Sequence, residues 1–364
     1  MRIAIVTELF LPSLGGQEVR FAELSRALVR RGHSVDVFCI QNVPGSAKEE
    51  IAENVKVHRY PEALNYQKTA LKFFRRRLSP LLRYALWCRR IPAGNFDFFL
   101  FNEWPLAHIL LAPRSILSRA AIDWCEYRNG VLLSFAQAYL PRLASRNIAN
   151  SAALKAKLQV VSGRRFKLLP SGIFPDQYQS APRSERQGIL YLGRIAEHKN
   201  LPLLLSSFES LLGKGYAGSL RIAGNGPGLP ALYEWVKAST AADKIEVLGT
   251  VDEETKRRLL ASSELLLLTS RREGFPRVMA EAMASGLPVV TADYVENGAK
   301  DLVLQYGIGE VAAATAGPLS DAVIRVLNNW SVYSMACIAA SKSLDWEALV
   351  DDFLEIAESA QKQV

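Results

Sequence analysis

Short apolar runs alternate along this chain with stretches in which hydrophobic positions recur every three or four residues. Arg2–Val6 (RIAIV) has the unbroken apolar character of a strand buried on both sheet faces. A loop containing Gly15 and Gly16 follows, and then Phe21, Leu24 and Leu28 fall at helical spacing, with Gly32 as the stop. Residues 34–40 (SVDVFCI) predict a second strand. Strand, glycine-containing loop, helix and strand in that order form a βαβ unit, the opening of a doubly wound sheet. Further strands are predicted at 55–59, 98–101, Ala120–Trp124 and Arg146–Ala149.

Residues 174–187 are polar and carry Pro175 and Pro182, which suits a linker between domains. A second α/β series then begins, with strands predicted at 188–192, 219–223, 245–248, Leu265–Leu268 and 288–291. Helices are predicted at 200–212 and 276–284, the latter with proline in its first turn and Gly286 just past its end. The fold class expected is α/β: two Rossmann-like domains facing each other across a cleft, the cleft being the default active site.

With 364 residues, 49% of them hydrophobic, the chain is globular and large enough for two cores. No apolar run reaches the roughly 18 residues that span a bilayer, and the start lacks the pattern of a signal peptide. Cys39, Cys88, Cys125 and Cys337 are scattered, so reduced thiols in a cytoplasmic protein are expected, with neither a disulfide framework nor a metal site.

Charge changes the picture in one segment. The net charge is +8, yet no acidic residue lies between Glu62 and Asp97, where Lys68, Lys72, Arg75, Arg76, Arg77, Arg83, Arg89 and Arg90 gather. Leu71, Phe74 and Leu78 interleave with them at helical spacing, and Tyr84, Leu86 and Trp87 extend the apolar content past Pro80. Residues 68–90 therefore predict an amphipathic helix that lies on an anionic membrane surface, or one that covers the sheet with its arginines in water. No nucleic-acid-binding module accompanies the charge.

Three features of the second half fall at the carboxyl ends of predicted strands, where open α/β sheets bind ligands. Gly193-Arg194 followed by Lys199 (GRIAEHKN) places two cations on one loop, suited to clamping a diphosphate. Gly224-Asn225-Gly226-Pro227 is a turn that either admits a ligand to the backbone or reverses the chain. Glu273 and Glu281, seven residues between them, bracket the start of a helix whose free amides attract an anion. Together they describe a site for a nucleotide diphosphate sugar. No Asp-x-Asp pair for a magnesium-bound diphosphate stands out, so no metal and no other cofactor is expected.

At these motifs the sequence resembles glycosyltransferase family 4, the retaining family with the B-type double-Rossmann fold. GRIAEHKN is similar to the family's Gly-Arg-to-Lys segment, AGNGP to its Gly-x-Gly-Pro turn, VLGTV to the strip that meets the nucleobase, and EGFPRVMAE to its two-glutamate signature. Gly15-Gly16, RGHSVDVF and LLPSGI match looser patterns, with Ser171 where asparagine is usual. The resemblance implies that Arg194 and Lys199 neutralise the diphosphate leaving group, Glu281 holds the ribose and Glu273 the donor sugar. Gly15, Gly16, Gly193, Gly224, Gly226, Val251, Gly274, Phe275, Pro276 and Arg277 complete the implied donor site. It further implies retention of anomeric configuration by same-face attack, with a donor phosphate oxygen helping to take the acceptor proton.

One departure stands out. Where family members often place a histidine on the acceptor side, this chain has IDWCEYRNG, with Cys125 at that position and Asp123 and Glu126 beside it. Either carboxylate takes over proton handling, or both merely cap the strand. Lys72, Arg75, Arg76, Arg77, Arg83 and Cys125 are the candidate membrane and acceptor residues.

The implied domains are 1–170 for acceptor binding, 171–342 for the nucleotide sugar and 343–364 as a helix returning to the first domain. The expected function is transfer of a sugar from a UDP-sugar, or a GDP-sugar, to a hydroxyl of a glycan, a lipid-linked acceptor or a secondary metabolite. A non-catalytic binding partner and a nucleotide-sugar epimerase of the same fold are the alternatives. The site is expected in the cytoplasm, on a protein peripheral to the inner face of the membrane.

Overall fold

The computed structural model describes residues 1–13, 15–64 and 77–361. The chain divides into two compact units, Met1–Gly172 with Trp346–Val364, and Ile173–Asp345. Both are α/β, each built on its own largely parallel sheet, as expected of two Rossmann-like domains.

Unit one contains β1 (Arg2–Val6), β2 (Ser34–Gln41), β3 (Glu49–Ala52), β4 (Val55–Glu62), β5 (Phe98–Asn102), β6 (Ala120–Trp124), β7 (Arg146–Ala149) and β8 (Lys167–Leu168). They lie in the order β3-β4-β2-β1-β5-β6-β7-β8, all parallel except for the antiparallel edge pair β3–β4. β5 and β6 are buried along their whole lengths, because helices cover both faces of a parallel sheet. The C-terminal helix Trp346–Gln361 belongs to this unit. Trp346 is fully buried and donates its indole N–H to Glu23 at 2.9 Å, while Arg31 pairs with Asp351 at 3.0 Å.

Unit two contains β9 (Ile189–Leu192), β10 (Leu220–Ala223), β11 (Ile245–Gly249), β12 (Leu265–Leu268), β13 (Arg272–Glu273), β14 (Val289–Ala292), β15 (Glu296–Asn297) and β16 (Gly309–Ala312). Its main sheet runs β11-β10-β9-β12-β14-β16. Strand order therefore reverses between β9 and β12, and the crevice at such a switch point is where doubly wound folds hold ligands. β13 and β15 form a separate parallel pair that pins the loop after β12 to the loop after β14.

In the basic segment, the observed helix is Leu78–Cys88, with Arg77 at its N-cap. Lys68, Leu71, Lys72, Phe74, Arg75 and Arg76 lie outside the described residues. Pro80, Tyr84, Ala85 and Cys88 are buried beneath the helix, while Leu78, Leu82 and Leu86 are exposed on its outer side with Arg77 and Arg83. Among the described residues no helix is long and apolar enough to cross a membrane.

Candidate functional site

The loops after β9, β10, β11 and β12 meet at the carboxyl edge of the second sheet, and backbone hydrogen bonds hold them together. Gly193 N donates to Ala223 O at 3.0 Å, Ile195 N to Asn225 O at 2.9 Å and Gly224 N to Gly249 O at 2.7 Å. The glycines of the Gly-x-Gly turn serve this packing. Gly224 has φ +144° and an added Cβ would lie 1.8 Å from Gly193 O; Gly226 has φ +157° and its Cβ would lie 2.2 Å from Ile195 O. The close approach that requires glycine here is thus made by the Arg194 loop itself. Val251 follows β11, half-buried against the core, and Asn225 reaches the neighbouring Thr250 side chain at 3.1 Å.

Across the switch point, Arg271 N donates to His198 O at 2.8 Å and the Thr269 hydroxyl to Lys199 O at 3.0 Å. This contact brings Lys199 onto Glu273: its Nζ pairs with Glu273 Oε1, which also accepts from the Ser270 hydroxyl at 2.6 Å. Gly274 O presses against Gly298, whose missing Cβ leaves the room. Phe275 packs on the core, and Pro276 caps the helix Arg277–Ala284 without any side-chain hydrogen bond to its first amides. That helix starts one residue later than the pattern of the sequence suggested.

Glu281 sits inside the helix and is buried. Lys256 Nζ donates to its Oε1 at 2.8 Å and Arg277 Nε at 3.1 Å. Burial opposes its ionisation, but the two cations prevail and hold its carboxyl below the ordinary value. Arg194 is exposed, and its guanidinium makes no ion pair or hydrogen bond among the described residues. His198 is pushed below the usual histidine range by partial burial and then by Lys199, Arg272 and Arg194, which outweigh Glu273. Cations thus dominate this edge. Lys256 and Ser270 were missed by sequence reasoning: the partner of Lys256 lies 25 positions away on another helix, and Ser270, three residues before Glu273, belongs to no motif the sequence marks.

In unit one, Gly15 is the N-cap of the helix Gly16–Arg30, and Gly16 has open space beside its Cα. Arg20, one turn further on, is buried and takes both oxygens of Asp123, at 2.9 and 3.2 Å, as well as the Leu169 and Pro170 carbonyls and the Ser171 hydroxyl. Asp123 therefore anchors the sheet to this helix instead of standing free to move a proton. Glu126 pairs with Arg128, whose guanidinium lies 4.2 Å over the Trp104 ring. The Cys125 thiol is driven well above its ordinary value by burial and by Asp123 and Glu103, so it is no thiolate. Glu103, which the sequence did not single out, is buried at the end of β5 and accepts the Cys125 N–H at 3.1 Å.

Comparison with known proteins agrees with this architecture. The family model described as Glycosyltransferase Family 4 matches residues 14–177, and that described as Glycosyl transferases group 1 matches residues 175–343. The chain belongs to glycosyltransferase family 4. One component of the human phosphatidylinositol N-acetylglucosaminyltransferase is 25% identical over 305 residues, 79% of this chain and 61% of its own length, so the chain spans about three fifths of that relative. A GDP-mannose-dependent alpha-mannosyltransferase of Mycobacterium tuberculosis is 23% identical over 377 residues, covering 97% of this chain and 95% of its own. Among solved structures, Anabaena HepE in complex with UDP-glucose shares the fold with a TM-score of 0.75, at 18% identity over 99% of this chain and 100% of its own.

Proposed function

We propose that the protein is a retaining glycosyltransferase that binds a nucleotide diphosphate sugar, UDP-linked in preference to GDP-linked, at the carboxyl edge of the second sheet. The observation that carries this reading is the gathering there of Arg194, Lys199, Lys256 and Arg277 near an uncapped helix start, with the half-buried Glu273 and the buried Glu281 as the acids among them. Cations in excess at a helix N-terminus favour an anionic ligand. Arg194 has donors to spare for the diphosphate, and Lys199 supplies charge as the leaving group departs. Glu273 and Glu281 are acceptor-only groups when ionised, which suits sugar and ribose hydroxyls. The charge needed by the diphosphate comes from side chains, so the reading calls for no metal.

The first unit supplies the acceptor side, whose ligand bears a hydroxyl on a glycan, a lipid-linked glycan or a small metabolite. The outward leucines and arginines of the helix Leu78–Cys88 support a further part of the reading, peripheral binding to an anionic bilayer from the cytoplasm. Titrating wild type and Arg194→Ala with UDP, GDP and ADP in a thermal-shift assay without added metal tests the donor site. Stabilisation by one nucleotide, weakened in the variant, is expected; no response in wild type, or equal responses in both, overturns it.

A further inference from the structure

In unit one the helices form two layers of unlike charge. Alternate residues of β5 divide them. Phe99 and Phe101 share a core with Tyr84, Ile109, Ile116, Leu154 and Leu158, whereas Phe98 meets Phe353 edge-on at 5.7 Å. The layer over Phe98 includes the C-terminal helix Trp346–Gln361, which exposes Asp351, Asp352, Glu355 and Glu358 and holds no lysine or arginine. The layer over Phe99 holds the helices Leu78–Cys88, Ala107–Leu110, Arg114–Leu117, Val131–Tyr139 and Ala152–Ser162, none of which carries an aspartate or a glutamate. The last two belong to a second acid-free run, from Glu126 to Asp176, longer than the one between Glu62 and Asp97.

Within this layer the helix Val131–Tyr139 is patterned inside out. Gln137 is buried and donates to the Arg128 and Leu133 carbonyls at 2.8 and 3.0 Å. Val131, Leu132, Phe135 and Tyr139 point outward, 93, 76, 68 and 45% exposed, with the Phe135 and Tyr139 rings stacked at 6.0 Å. A helix that faces water places its apolar stripe on the core instead, and a contiguous exposed apolar face marks a contact surface. The helix Ala152–Ser162 lies alongside, and Lys157 sets its ammonium 3.9 Å from the centre of the Tyr127 ring. Lys155, Lys157, Arg164 and Arg165 make no ion pair among the described residues.

We propose that the outward face of Val131–Tyr139 inserts into the headgroup–acyl boundary of an anionic bilayer, while Lys155, Lys157, Arg164 and Arg165 meet the lipid phosphates. This deepens the peripheral-binding reading, which rested on the helix Leu78–Cys88, and is independent of the donor site. Apolar burial and attraction to anionic lipid add in such a contact. A bilayer matches both properties of the face. The same face of a second copy would bring like charges together. The acidic helix Trp346–Gln361 of a second copy would match the charge, but it exposes no large hydrophobic side chain to cover Phe135. Docking through this layer turns the acidic helix away from the lipid, so the charge asymmetry also fixes the orientation of unit one.

The test uses the full chain with vesicles of phosphatidylcholine, alone or mixed with phosphatidylglycerol. Leu132→Ser with Phe135→Ser should lower the affinity for mixed vesicles at least about 10-fold at an unchanged melting temperature, since both side chains are exposed. An environment-sensitive fluorophore on Val131→Cys should shift to the blue on mixed vesicles, while the same label on Asp352→Cys should not; labelled wild type supplies the blank for the native cysteines. Wild-type affinity in the double variant, or equal shifts at the two labels, overturns the proposal. Wild type that fails to sediment with mixed vesicles overturns it together with the reading of Leu78–Cys88. Loss of binding confined to substitutions at Arg77 and Arg83 overturns it and leaves that earlier helix as the contact. A lipid-free dimer that the double variant abolishes assigns the face to a second copy and overturns it as well.

Discussion

Lys256 reaches across 25 positions of chain to place its ammonium 2.8 Å from Glu281 Oε1, from one helix of the second unit to another. Arg277 holds the same oxygen from within Glu281's own helix at 3.1 Å, so this buried acid carries two cations. Lys256→Met should therefore leave Glu281 ionised at neutral pH but less firmly held. A depressed carboxyl contributes stability above its unfolded value that is lost as pH falls through its folded value. With one cation gone the folded value rises, so the variant should begin to lose stability at a higher pH than wild type. The cost at pH 7 should fall below the about 3–5 kcal/mol of removing an ion's sole buried partner. Urea denaturation at pH 4 to 7 measures it; superimposable wild-type and variant curves would refute the coupling.

Gly224 occupies a backbone conformation that only glycine enters cheaply, with Gly193 O where its Cβ would be. Gly224→Ala should destabilise unit two by at least about 1–3 kcal/mol from the backbone conformation alone. It should also displace the loop bearing Arg194 and weaken nucleotide binding. Gly317, which has open space around its Cα in the helix Ala316–Asn328, is the control. Gly317→Ala should be neutral or slightly stabilising, since alanine is the better helix former. Equal melting temperatures for the two variants would contradict the packing account.

The helix Leu78–Cys88 turns Leu78, Leu82 and Leu86 to solvent beside Arg77 and Arg83. Replacing Arg77 and Arg83 with glutamine should reduce cosedimentation with vesicles containing phosphatidylserine, with the largest loss at low ionic strength. Leu82→Ser with Leu86→Ser should reduce it at all ionic strengths. Binding unchanged in both variants would exclude this helix as the contact.

The parallel strands were legible because burial on both faces leaves a mark that a short window captures. Ala120–Trp124, Arg146–Ala149 and Leu265–Leu268 have the same ends in the apolar pattern and in the structure. Edge strand β3 was not legible: EEIA is mostly exposed and carries no apolar run. Gly224 and Gly226 were legible as a turn, but not as the partners of the 193–195 loop, since that contact joins two strands' ends.

The sequence by itself determined which segments form the buried central strands, that two α/β series follow one another, and which motifs lie at strand ends. These are properties of local patterning and of single residue types. The tertiary structure alone decided which carboxylate has a cation and which does not. Asp123 is held by Arg20, 103 positions away, while Glu103, buried at the end of β5, makes no ion pair among the described residues. Charge compensation depends on distances across the fold and on exclusion of water, and neither is written in the spacing of residues along the chain.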